Sequence, residues 1–352
     1  MILQALLPFL FLALVPLFHW ISATAPGLVP PVLLVTFLTL DGWMGTANGE
    51  RNAGQSWIYR LPLWLYVPAL LAVILWGIVA ASASGSVGEF LGLALSTGIM
   101  TGIFGMLTAH ELIHSRSPAE RALGVVMLCG ATYPHFRISH LHGHHRIAAT
   151  RDDPASARRG ESAYRFVLRS VTGQLVQAWG FERRRVSQGR LSVLANRLYQ
   201  YLAIIATLFA VIAICFGWRG IVFQLVQSLV AIFILELFNY IAHYGLERRP
   251  TAAGRLEPLG PNHSWNAMQR FNNLALLNGG YHTRHHQAPM ASYQNLHGEP
   301  DLPMLPAGFA GSILLSMFPR YWHRVMDPRV DLWQGIPATP DRSAGLAEGG
   351  LL

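Results

Sequence analysis

The sequence predicts an all-α integral membrane protein in which six transmembrane helices carry a cytoplasmic helical cap. Three observations predict it. Of 352 residues, 52% are hydrophobic and 12% charged, against about 25% charged in a soluble globular domain. The apolar residues gather in runs of bilayer length. The basic residues, 26 arginines with no lysine, are excluded from one set of connections between those runs. The net charge of +8 raises the question of nucleic acid, but no arginine–aromatic stripe on a soluble module supports it, so no nucleic-acid partner is expected.

The runs fall at 2–21, 28–43, 62–81, 87–113, 196–217 and 219–244. Ala25-Pro26-Gly27 joins the first pair, a Ser/Gly-rich turn at 82–88 the second, and Gly217-Trp218 the third. The first two turns contain no arginine and the third contains only Arg219, whereas the other 25 lie at 51–60, at 116–197 and beyond 244. The arginine-rich side faces the cytoplasm, which places both termini there in a cell inner (plasma) membrane. Ala23-Thr24-Ala25 has the look of a signal-peptidase site. No positive region precedes the apolar stretch, and Pro8 and Pro16 interrupt it, so 2–21 reads as a retained helix.

The expected organisation is one membrane domain over 1–325, with cytoplasmic caps at 114–195 and 245–325, followed by a flexible tail at 326–352. Apolar stretches at 120–134 and 306–318 are too short to span and read as interfacial or cap helices. Cys129 and Cys215 lie in apolar surroundings and read as packing residues, since two cysteines cannot hold an iron–sulfur cluster.

Nine of the 15 histidines form four clusters: His110-Glu111-Leu112-Ile113-His114, His140-Leu141-His142-Gly143-His144-His145, His243 at the end of the sixth run, and His282-Thr283-Arg284-His285-His286. His110 and His114, four apart, share a helix face, and His140 and His144 repeat that spacing with His145 added. His282 and His285 are three apart, followed by His286. Each cluster sits at or just beyond a cytoplasmic helix end, so clusters remote in sequence can converge. His110, His114, His140, His144, His145, His243, His282, His285 and His286 suffice for two ions with four or five nitrogens each, and redox chemistry at such a nitrogen-rich site favours iron. His19, His135, His142, His263, His297 and His323 read as surface or packing residues, with His142 a possible support for a ligand.

Glu236 is an acid inside the sixth run, where charge is costly and usually functional. With Asn239 and His243 it lies at i, i+3 and i+7 on one face, so Glu236 is expected either to fix the tautomer of a ligand imidazole or to bridge two helices as a protonated acid. Gly98, Gly102 and Gly105 share a face of the fourth run and suit close helix packing or a slot for a slender substrate.

The first cluster is also the HExxH of zinc proteases, with Glu111 as general base, but seven clustered histidines would then have no use. A metal transporter or haem-binding protein would place its ligands nearer the bilayer midplane. An oxygen-activating di-metal enzyme uses all nine.

The four clusters in this order resemble the membrane-bound alkane 1-monooxygenases of the integral-membrane fatty acid desaturase/hydroxylase superfamily. His243-Tyr244-Gly245, Gly143-His144-His145-Arg146, Asp153-Pro154-Ala155-Ser156, Asn239-Tyr240, Trp265-Asn266 and Leu40-Asp41 extend the likeness over about residues 30–300. The resemblance implies a non-haem di-iron centre on nine histidines and hydroxylation of the terminal methyl of a small apolar substrate. It also implies electrons from rubredoxin or ferredoxin with an NAD(P)H-dependent reductase. The sequence has neither GxGxxG nor a cysteine cluster, so the donor is expected in trans. The likeness departs at Ser139, Ala242 and Arg284, where those enzymes usually carry acids. Aryl-methyl (xylene-type) hydroxylation and fatty acyl desaturation therefore stand beside alkane hydroxylation.

Overall fold

The structure is a computed structural model that describes residues 2–47, 54, 57–251, 254–299 and 301–335. Every regular element among them is helical, and pairing of extended backbone is limited to isolated bridges such as Thr46 with Gln269. α1 (Ile2–Ile21) and α2 (Val29–Met44) form a hairpin through a 3₁₀ turn at Ala25–Leu28. α3 (Leu61–Ala83) starts with a proline in its first turn, where a missing N–H costs nothing. α4 (Val87–Ile113) starts at Ser86, whose hydroxyl accepts the Glu89 N–H at 3.1 Å. A π-helical turn at Thr101–Gly105 interrupts α4 just before its histidines.

The cap follows. α5 (Pro118–Gly130) is capped by Ser117. α6 (residues 136–147) contains a second π-helical turn at His140–His144. α7 (Ala163–Gln188) is capped by Ser162. α8 (Arg197–His243) is 47 residues long, twice what a bilayer needs, and breaks at Gly217, whose φ of +64° favours glycine. Four short helices complete the cap: α9 (Arg270–Ala275), α10 (His282–Gln287), α11 (Phe309–Ser316) and α12 (Pro319–Gln334).

Four segments are long and apolar enough to cross a membrane: Ala25–Met44, Trp57–Ala83, Val87–Ile113 and Arg197–His243; the apolar part of α1, Leu6–Ile21, is shorter. Large apolar side chains lie exposed on these helices, among them Leu65, Leu75, Val211, Ile214 and Leu229, as lipid-facing surfaces require. The arginine-poor turns meet at one end. Arg219 donates to the Ser84 carbonyl at 2.8 Å, and Ser96 donates to the Pro26 carbonyl.

α4 runs through the centre and packs against the second arm of α8. A Cβ on Gly98 would stand 2.7 Å from the Val230 Cβ and 2.8 Å from the Gln227 carbonyl, and one on Gly102 would meet Ile234 at 2.8 Å. A Cβ on Gly105 would press on Leu70 of α3 at 2.5 Å. Close packing accounts for Gly98 and Gly105, while Gly102 both packs on α8 and lines an apolar cavity. The core beneath the cap is aromatic, with Trp265, Trp322, Tyr240 and Tyr244 wholly buried.

The expected tail from 326 needs correction in its first part. α12 continues to Gln334 with Met326 and Val330 buried, because its apolar face packs under the cap, and the Tyr244 hydroxyl donates to Asp327 at 2.7 Å. Residues 336–352 lie outside the described residues. Cys129 and Cys215 are free thiols.

The α4–α8 contact gives a direct test. Gly98→Ala should cost about 1–3 kcal/mol, since the obstructing atoms are a branched Cβ and a backbone carbonyl that cannot turn aside. Thermal unfolding of the purified protein should show a lower midpoint, and an unchanged midpoint would refute the close contact.

Candidate metal centre

Two helix ends and two cap helices deliver the nine clustered histidines. α4 ends in His110 and His114, α6 carries His140, His144 and His145, α8 ends at His243, and α10 carries His282, His285 and His286. The side chains converge in two groups. One contains His110, His114, His140, His145 and His285, the other His144, His243, His282 and His286. Within each group the ligand nitrogens lie within 4.8 Å of one another.

This grouping differs from simple helical spacing. His140 shares a group with His145, not with His144, because a π turn closes over five residues and brings positions five apart onto one face. On α10 the pair is His282 with His286, four apart, while His285 crosses to the other group. The second and fourth clusters therefore contribute to both groups. The groups adjoin through His145 and His286, whose rings are 5.0 Å apart.

The distances test whether cations suit these residues. The Nε2 atoms of His114, His140 and His145 form a triangle with sides of 3.1, 3.1 and 3.0 Å. Those of His243, His282 and His286 form another, with sides of 2.9, 3.1 and 3.1 Å. A neutral imidazole Nε2 is either a donor or an acceptor. Three such atoms in mutual contact always leave at least one pair alike, donor against donor or lone pair against lone pair. Hydrogen bonding cannot satisfy either triangle, whereas one cation facing three lone pairs satisfies all three. Nitrogens about 2.0–2.1 Å from an ion and at right angles are about 3 Å apart, the spacing seen here. The residues fit a pair of metal ions.

The surroundings set the tautomers. The Asp153 carboxylate lies 2.8 Å from His144 Nδ1, which holds that ring with its Nε2 lone pair inward, where Nε2 is buried without a protein partner. Asp153 is anchored by the Ser156 hydroxyl at 2.7 Å and the Ala155 N–H at 3.1 Å. Burial works against its charge, but His144 and Ser156 outweigh it and keep its pKa below the ordinary carboxylate value. The His263 carbonyl lies 3.4 Å from His243 Nδ1. Burial, reinforced by neighbouring imidazoles, holds His114, His140, His145, His282, His285 and His286 well below the usual histidine pKa. They are neutral at pH 7, the form that binds metal.

Glu236 does not touch a histidine in this arrangement. It bridges helices: its carboxylate accepts from the Tyr133 hydroxyl at 3.1 Å, Gln174 Nε2 at 2.8 Å and Asn239 Nδ2 at 3.3 Å. The carboxylate on a ligand imidazole is Asp153. Its only sequence signal was the Asp153-Pro154-Ala155-Ser156 motif, since its distance from His144 follows from a loop and not from helix periodicity. Glu111 is engaged by Arg60 at 2.6 Å and by the Tyr293 N–H at 3.3 Å, not free to act as a base.

His142 is exposed, with Phe181 6.3 Å away, and lies in neither group. Of the three departing positions, Ser139 donates to Gln174 at 3.2 Å, Arg284 reaches Gln287 at 3.1 Å, and Ala242 lines a cavity. That cavity lies against the histidines. Its wall includes His110, His140, His282 and His285, and is otherwise mainly apolar, with Ile103, Met106, Leu107, Phe136, Leu235, Phe238, Leu276 and Phe309.

Comparison with known proteins agrees with this geometry. The sequence model of the fatty acid desaturase family ("Fatty acid desaturase") matches residues 85–298. An alkane 1-monooxygenase of Ectopseudomonas oleovorans is 39% identical over 282 residues, covering 79% of this chain and 70% of that one. Alkane 1-monooxygenase 2 of Pseudomonas aeruginosa is 35% identical over 334 residues, covering 90% and 88%. The hydroxylase component of a xylene/toluene monooxygenase of Pseudomonas putida is more distant, 27% identical over 256 residues, covering 72% and 68%.

Asp153→Asn keeps the volume and removes the charge from His144 Nδ1. Metal affinity should fall about 10–100-fold, read by competition with a chelator. Unchanged affinity would mean that Asp153 does not tune this ligand.

Proposed function

Because the chain belongs to the fatty acid desaturase family, and within it to the alkane 1-monooxygenases, we propose that it hydroxylates the terminal methyl of a medium-chain alkane to a primary alcohol, using O₂ and two non-haem irons. The observation that carries this reading is the contact between the two histidine groups and the apolar cavity. A metal pair there, when bound, supplies oxygen activation. The chain's own residues do the rest. His110, His114, His140, His145 and His285 hold one ion, and His144, His243, His282 and His286 the other. Asp153 orients His144. The cavity wall binds a slender apolar chain by exclusion of water and sets its end against His110, His140, His282 and His285. Asn239 borders the same cavity with Glu236 behind it, and we assign these two to the reaction site as well.

The HExxH protease reading is set aside, since the family is an oxidoreductase family and Glu111 is ion-paired. Aryl-methyl hydroxylation has support only from the more distant relative.

Electrons must come from another protein. Rubredoxin, or a ferredoxin, with its NAD(P)H-dependent reductase suits a basic docking face, and Arg146 and Arg249 are exposed close to the histidine-bearing segments. The membrane arrangement we favour has six spans, the two arms of α8 counting as two, with cap, metal site and termini on the cytoplasmic side of the inner membrane. The gathering of the arginine-poor turns at the opposite end supports it.

Two experiments test this reading. Cells expressing the chain with a rubredoxin and its reductase should convert octane under ¹⁸O₂ to labelled 1-octanol, and His285→Ala should abolish the product. Unlabelled alkene would instead indicate a desaturase, and labelled benzyl alcohols from toluene alone would favour the aryl-methyl reading. In a Cys215→Ser background, Gly85→Cys should react with impermeant maleimide in intact spheroplasts and Ser192→Cys only after lysis. The reverse pattern would invert the topology.

A further inference from the structure

Asn239 sits oddly in a cavity meant for a hydrocarbon. Apart from the four histidines and Glu111, the polar side chain on the wall is Asn239. Glu111 is occupied by Arg60 and Tyr293. An alkane offers Asn239 nothing to hydrogen-bond, and a buried amide without a partner is unfavourable. Its orientation is fixed from behind. Glu236, fully buried, accepts the Asn239 Nδ2 at 3.3 Å while its other oxygen takes Tyr133 and Gln174. With Nδ2 engaged, the amide's remaining polar atom is the carbonyl oxygen, a pure acceptor. Asn239 stands four residues before His243, roughly 6 Å along the helix axis. It also shares the cavity-lining face of α8 with Leu235, Phe238 and Ala242.

Hydroxylation changes what the ligand offers. The methyl end has no donor, and the primary alcohol has one O–H. We propose that the Asn239 carbonyl, aimed by Glu236, accepts the hydrogen bond of the newly formed hydroxyl and holds the hydroxylated end in the cavity. Asn239 is then a product-binding residue and Glu236 a positioning residue that acts through it. The inference rests on the hydroxylase reading above. It makes the cavity prefer a primary alcohol to an equally long chain without an O–H group, so product inhibition is built into the site.

The test compares 1-octanol with 1-chlorooctane, of similar length but without a donor. Both are titrated as inhibitors of octane oxidation by the full chain with rubredoxin and reductase. Both are also titrated as stabilisers of the iron-loaded protein in nanodiscs, read as a shift in unfolding midpoint. Wild type should bind octanol about ten-fold more tightly than chlorooctane. Asn239→Leu should bring the two within about two-fold while leaving chlorooctane binding unchanged. Glu236→Gln keeps the volume and tests the aiming. With Tyr133 and Gln174 on its oxygen, the new amide NH₂ faces Asn239, which must turn its own NH₂ to the cavity. The alcohol must then accept instead of donate, so heptyl methyl ether, an acceptor without a donor, should rise from about ten-fold weaker than octanol in wild type to within about three-fold of it.

An octanol preference absent from wild type, or a preference for octanol over heptyl methyl ether left intact in Glu236→Gln, overturns the proposal. If Asn239→Leu does not fold, Glu236→Gln decides alone. Octane left unoxidised by wild type, with the nanodisc preference present and lost on substitution, would sink the hydroxylase reading and leave Asn239 an alcohol-binding residue, not a product-binding one. Octane oxidised with no octanol preference would keep the hydroxylase reading and sink this one.

Discussion

Nine imidazoles brought together in a buried site cannot satisfy one another. Each Nε2 triangle leaves at least one pair of like groups in contact, and burial removes the water that would relieve them. Protonation offers no escape, because burial and mutual repulsion hold His140, His145, His282 and His286 neutral. Two cations would resolve the conflict, and much of the architecture holds the rings in place for them. Asp153 fixes His144, the His263 carbonyl lies against His243, and the cap closes over both groups.

The placement of the site follows from the helices beneath it. Gly98 and Gly102 let α4 and α8 approach closely enough that His110, His114 and His243 emerge near one another. Gly245, with φ of +70°, ends α8 just after His243 and lets the chain pass beneath Val330 of α12. Tyr244 then ties that turn to Asp327 and to the Gly160 N–H. The His-Tyr-Gly motif is thus a member of one histidine group, an anchor and a stop in succession.

Much of this was legible in the sequence. The apolar runs gave helix positions to within a few residues, because hydrophobicity along a chain reports helix length directly. The nine histidines stood out because four clusters at helix ends are hard to explain by packing. Their division between two groups was not legible. It depends on the π turn at His140–His144, which puts His145 where ordinary helical spacing puts His144. Asp153 escaped for a related reason, since a loop carries it to His144, while Glu236, on the expected helix face, turned out to be held by Tyr133, Gln174 and Asn239. The extent of α12 was hidden by Pro328 and by charged residues on its outer face.

The account stands on two metal ions per chain. Elemental analysis of the full chain, purified from iron-replete cells and set against protein concentration by amino-acid analysis, measures this most directly. The predicted result is close to two irons per chain, with a Mössbauer spectrum showing two nitrogen-rich, non-haem sites. A value near one that does not rise on reconstitution, or zinc in place of iron, would contradict it.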